Sequence, residues 1–141
     1  MTHSLPREVV ALLSSTSDVI LGRFGEDRRE EVVQRVAGAD AILLSGRDVM
    51  IDEALISRCP SLRIIAATFK APEIDLEACT RSGVWVTTAL EALMPPAFNE
   101  APALWAALEA AANILEALTG SAPGGAINGP FPNRPRQAAL L

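Results

Sequence analysis

Three short apolar runs, Ala41–Leu44, Leu62–Ala67 and Val84–Thr87, alternate with two helical patterns and leave the stretch from Ala39 to Thr88 few ways to fold. Each run is too short for a helix and is rich in β-branched or large aliphatic residues. Near-continuous apolar runs, rather than alternating ones, belong to strands buried on both faces. The first helical pattern, Met50–Cys59, carries Asp52 and Glu53 in its first turn and stops at Pro60, which cannot continue a helix. The second, Leu76–Arg81, has Asp75 as its N-cap and Gly83 just past its end. Strand, helix, strand, helix, strand with connections this short closes right-handed into a parallel sheet.

A chain of 141 residues, half of them hydrophobic, is expected to form one domain with a real core. Its formal charge of −5 argues against nucleic acid as a partner, which would need a basic face. Val9–Leu13 is too short for a signal-peptide core. The most apolar segment, Ala101–Leu118, is interrupted by Glu109, Asn113 and Glu116, so no membrane span is expected. The two cysteines, Cys59 and Cys79, fall inside the helical patterns and read as buried, reduced thiols. A soluble, cytoplasmic protein is the expectation.

Around the central unit, a helix is expected over Leu5–Leu13, with Ser4 as N-cap and Pro6 in its first turn. Asp18–Leu21 reads as a short strand followed by a turn at Gly22–Gly25. Arg28–Ala37 reads as an amphipathic helix with Val32, Val33 and Val36 inward, and its charge run as a solvated face. After an irregular Ala89–Asn99, Asn99 should cap a long helix to Leu118. There Leu104, Leu108, Ala111, Leu115 and Leu118 form a heptad-like stripe, wide enough to suggest a dimer contact. From Gly120 to Gln137 the chain is rich in Gly, Pro and Asn and should lie extended over the surface.

In an open parallel sheet ligands bind at the carboxyl ends of the strands. Those ends carry Ser45-Gly46-Arg47, Thr68-Phe69-Lys70 and Thr87-Thr88, and His3 joins them if Thr2 ends a short first strand. Arg47 and Lys70, with free helix N-termini, would make a modest anion site; the alternative reading is two ordinary solvated loop cations. No G-x-G-x-x-G follows any strand, and no P-loop is present. One histidine and two cysteines on separate helices offer no metal-ligand spacing. No complete set of catalytic residues is legible.

At THSLPREVVALL, at ADAILLSGRDVMIDEALISRCPSLRIIAATFKAPEIDLEACTRSGVWVTT and at AAANILEALTGSAPGGAINGP, the chain resembles the D-isomer-specific 2-hydroxyacid dehydrogenases, specifically their substrate-binding domain. The lysine before the IDLEAC segment and the GVWVTT ending look most like phosphonate (phosphite) dehydrogenases. The resemblance implies a flavodoxin-like three-layer parallel sheet with an abbreviated first strand and a long C-terminal helix. It implies that Lys70 contacts an anionic substrate, although KAPEID departs from the glycine-rich turn of that family and is one residue shorter. Such enzymes carry an NAD-binding domain between two linker helices. Here LEALMPPAFNEAP runs straight into ALWAALEAAANILEAL, so the cofactor domain and its catalytic groups are expected to be missing.

The expectation is therefore an isolated substrate-binding domain over residues 1–119 with a tail over 120–141. It would take a small anion at Lys70, Arg47, His3 and Ser45, hold no cofactor or metal, and transfer no hydride alone. The tail, or a strand of a second copy, could stand in for the short first strand. An alternative is a self-associating or partner-binding module that uses the long helix and the tail; a third is an enzyme in which His3 has become an acid or base.

Overall fold

Parallel pairing organises the molecule: β1 (Ala41–Leu44), β2 (Ile64–Ala67) and β3 (Trp85–Thr88) form one sheet in the order β1-β2-β3. Ala41 stands opposite Ile64, and Ile64 opposite Trp85. The computed structural model describes residues 6–15, 29–44, 50–68, 74–89 and 93–129. The expected strand at Asp18–Leu21, the Ser4 cap and the short first strand at Met1–Ser4 lie outside the described residues.

Because successive strand residues point to opposite faces, each strand feeds two cores. Ile42, Leu44, Ile65, Ala67 and Val86 meet α2 (Arg29–Val36), α3 (Glu53–Ser57) and α4 (Leu76–Arg81) through Val32, Val33, Leu55, Ile56, Ala78 and Cys79. On the other face Ile64 and Ala66 meet α1 (Arg7–Ser14) and α5 (Pro102–Leu118) through Val9, Leu13, Ala107, Ala110, Ala111, Ile114 and Ala117. Three layers result, helices on both sides of a parallel sheet, as a flavodoxin-like domain requires.

Several boundaries differ from expectation for identifiable reasons. α3 begins at Glu53, because Ile51 is drawn into a parallel bridge with Ile74 and Asp52 turns outside the helix to cap it. It ends at Ser57, which leaves Cys59 beyond the helix, though buried. Pro6 takes the N-cap position of α1, ahead of the first turn. Asn99 does not cap α5: Pro96–Phe98 forms a short 3-10 helix that Asn99 closes, and α5 starts after Ala101 with Pro102 at its first position. α4 matches the expected bounds and cap, and Gly83 beyond it holds φ +70°, a left-handed conformation that glycine adopts freely.

The stripe that buries α5 is also not the leucine one. Trp105, Ala106, Ala107, Ala110, Ala111, Asn113, Ile114 and Ala117 are buried, while Leu104, Leu108, Leu115 and Leu118 are only partly covered. Small side chains let a helix axis approach the sheet closely, and the larger leucines are left on its flanks.

Beyond α5 the chain turns at Gly120 (φ +90°) and comes back along β3. Thr87 and Ala126 form an antiparallel bridge; the Ile127 N–H donates to the Val86 carbonyl at 2.8 Å and the Thr88 N–H to the Gly125 carbonyl at 3.4 Å. In the flavodoxin-like order 2-1-3-4-5 the first strand lies beside the strand represented here by β1. The described part of the tail covers the opposite edge, so it does not replace that strand.

Candidate functional site

Three strand ends converge where an open α/β sheet binds ligands. β1 ends at Leu44, whose carbonyl accepts the Thr68 N–H at 3.0 Å, and β3 ends at Thr88. Beside them the Ile51–Ile74 bridge, with the Asp75 N–H donating to the Ile51 carbonyl at 2.8 Å, ties the starts of α3 and α4 together. The fold thus brings two helix N-termini to one rim.

One donor at each of these N-termini is already engaged. Asp52 Oδ1 accepts the Leu55 N–H at 3.0 Å, and Asp75 Oδ1 accepts the Ala78 N–H at 3.0 Å. A carboxylate in this position satisfies an orphan donor and meets the positive end of the helix dipole. One first-turn donor of each helix is thus taken by a carboxylate of the chain itself, which lessens what these helix starts offer an anion.

The four residues singled out for an anion, His3, Ser45, Arg47 and Lys70, lie outside the described residues. Among the described residues no group of three His, Cys, Asp or Glu side chains could hold a metal ion, and no helix is long and apolar enough to cross a membrane. Several charged contacts among the described residues are peripheral. Arg58 pairs with Glu30 at 3.1 Å, and Arg81 with Glu77 at 2.9 Å and Glu53 at 3.4 Å, all on well-exposed side chains. Pairs of this kind contribute little.

Neither thiol is chemically poised. Burial pushes the Cys59 thiol up, against a smaller opposing pull from the Arg58 cation. Cys79 is pushed up to about 12 by burial first and by the Asp75 carboxylate second. A thiol so held stays protonated and is a poor nucleophile.

One polar cluster was not anticipated from sequence. Asn128 lies across the β3 edge, its Oδ1 accepting the Val86 N–H at 2.8 Å and its Nδ2 donating to the Val84 carbonyl at 2.9 Å and to Thr80 Oγ1 at 3.3 Å. Buried Asn113 on α5 accepts the Gly125 N–H through Oδ1 at 2.9 Å. The available signal was the Asn128-Gly129 pair, a turn-forming dipeptide. Between these two, Thr87 is fully buried and its hydroxyl has no partner among the described residues.

Comparison with known proteins settles the family. The profile of the D-isomer specific 2-hydroxyacid dehydrogenase catalytic domain matches residues 1–96, a stretch that includes β1, β2 and β3 and their carboxyl ends. The chain belongs to that family. Its enzymes are NAD-dependent oxidoreductases, and the matched part is the catalytic rather than the cofactor-binding domain. Solved structures agree on the fold. A protein from Pyrococcus horikoshii superposes with a TM-score of 0.56 at 24% identity over 61% of this chain and 25% of that one. One from Thermus thermophilus gives 0.52 at 28% identity over 61% of this chain and 28% of that one. The NAD+-bound 3-phosphoglycerate dehydrogenase of Entamoeba histolytica gives 0.53 at 20% identity over 64% and 32%. The chain spans about a quarter to a third of the length of these proteins.

Proposed function

We propose that this polypeptide is the substrate-binding half of a 2-hydroxyacid-dehydrogenase-like oxidoreductase, binding a small anionic acid without transferring hydride by itself. The observation that carries the reading is the match of the catalytic-domain profile to residues 1–96; the part of this chain that superposes covers a quarter to a third of its structural relatives. Hydride transfer needs a nicotinamide held against the substrate, and no strand in this sequence is followed by a dinucleotide fingerprint. With Asp52 and Asp75 on the rim, the anion is held by Arg47 and Lys70, with Ser45 and His3 as hydrogen-bonding partners. The affinity is correspondingly weak, and the setting cytoplasmic. Titration calorimetry with phosphite, oxalate and a 2-hydroxy acid tests this: saturable heat at millimolar ligand is expected, lost on Lys70→Ala. No heat at that concentration would remove the anion pocket, and saturable NAD binding or turnover by the purified chain would overturn the non-catalytic reading.

A second reading, self-association through α5, rests on its partly covered leucines. Leu104, Leu108, Leu115 and Leu118 flank the helix, and Leu12 of α1, the helix packed against it, is also exposed. Sedimentation should show a homodimer that Leu108→Glu dissociates; a strict monomer at high concentration would count against it.

A further inference from the structure

The tail is not merely laid on β3; it is keyed to it at three points. At Gly125 a Cβ would stand 2.7 Å from Asn113 Nδ2, so any larger residue would have to push aside the buried amide whose oxygen accepts the Gly125 N–H. At Asn128 one amide side chain answers both the Val84 carbonyl and the Val86 N–H, continuing the edge as a strand would. At Gly129, with φ +86°, a Cβ would stand 2.9 Å from Trp85 Cη2, so the backbone lies flush on the indole. Residues 125–129, Gly-Ala-Ile-Asn-Gly, thus fill a seat whose shape and polar groups select that segment. Every one of these keys reaches across the turn at Gly120 to β3, α4 or α5.

We propose that this seat also takes the 125–129 segment of a second copy, so that two chains exchange straps across their β3 edges. Strand addition to a sheet edge gains main-chain hydrogen bonds from whatever extended segment fits, and pockets for particular residues supply specificity. Here the specificity is written in the chain itself, so the segment of another molecule matched to the seat is that of a second copy. Exchange conserves every bond, since seat and strap are identical in each copy; only the turn and the effective concentration differ between closed and exchanged forms. The turn is the control point. It rests on Gly120 at φ +90°, where the Gly120 N–H donates to the Ala117 carbonyl and the Ser121 N–H to the Glu116 carbonyl, ending α5 and folding the strap back. A β-branched residue cannot hold that φ without strain, so it favours prolonging α5 and delivering the strap to another molecule.

The test uses the full chain. Asn128→Ala combined with Gly129→Ala unseats the resident strap, and a dye-labelled peptide of residues 123–129 is then titrated and followed by anisotropy. Saturable binding is expected, at least tenfold weaker for the peptide with Asn128→Ala and at least tenfold weaker to the unsubstituted chain, whose seat is filled. Failure of the peptide to bind the folded double variant, or equal binding of the Asn128→Ala peptide, overturns the proposal. Should the double variant not fold, Gly120→Val decides by sedimentation at several hundred micromolar. A dimer abolished by adding Asn128→Ala supports exchange, and a monomer overturns it. Dependence on Asn128 separates this dimer from one made by the α5 leucines, which Leu108→Glu would dissociate instead.

Discussion

The two faces of the sheet are built on opposite principles. Toward α2, α3 and α4 the core is made of large side chains: Leu55, Ile56, Ile65, Ile74, Val84 and Val86 interlock over short helices. Toward α5 it is made largely of small ones, with Ala66 on the strand facing Ala107, Ala110, Ala111 and Ala117 on the helix. The first face is stabilised by volume, each residue filling space contributed by several elements. The second is stabilised by proximity, a single seventeen-residue helix set close on the strands. A hydrophobic pattern that scores size therefore reads the first face correctly and misreads the second, because alanine counts for little in it.

Opposite kinds of substitution should wound the two faces. Leu55→Ala opens a cavity on the α3 side and should cost about 2–5 kcal/mol in urea unfolding. Ala111→Leu, which adds volume where α5 meets the sheet, should cost about 1–3 kcal/mol by overpacking. Leu108→Ala, on the flank of the same helix, should cost about 1 kcal/mol or less, a fraction of a fully buried leucine. If Leu108→Ala proved as harmful as Leu55→Ala, the leucine stripe would be the true contact and the contrast between faces would fall. Removing the α4 cap by Asp75→Ala should cost about 1 kcal/mol, seen in thermal melts and absent from an Asp75→Asn control. Thr87→Val replaces a buried hydroxyl without a described partner by a near-isostere and should be neutral or stabilising by up to about 1 kcal/mol, since an unmade hydrogen bond is what is lost. The smallest effect at neutral pH is that of Cys79. Its folded-state value of about 12 exceeds its ordinary 9.0, so its contribution is complete below pH 9 and is lost as pH rises from 9 toward 12. The unfolding free energy of the parent should fall faster over that window than that of Cys79→Ala.

Much of this architecture was legible in the chain, and the exceptions share a cause. β1, β2 and β3 could be located because strands buried on both faces need unbroken apolar runs, and α4 because Asp75 and Gly83 mark its ends chemically. The start of α3 could not be read, since nothing local says that Ile51 will pair with Ile74, a contact made between distant loops. Asn99 has a capping side chain, yet the Pro95-Pro96 break starts a separate short helix that claims it. The candidate anion residues follow from topology alone: any parallel sheet of this order sends the segments after β1 and β2 to one rim. Their side chains, in residues 45–49 and 69–73, lie outside the described residues, whereas the aspartate caps at that rim were half visible, Asp75 as a cap and Asp52 as a first-turn residue. The strap was hidden for another reason. Its Gly and Asn content signals irregular backbone, and only the third dimension shows that this backbone is shaped to Trp85 and Asn113.

Burial of both thiols has a practical corollary. The sequence holds no other cysteine, and each of the two is shielded and held protonated. A cysteine introduced at Leu93, which is 72% exposed on the approach to α5, would outpace both in alkylation. A spin label or fluorophore placed there would report from a single known position, with the native sulfurs left silent.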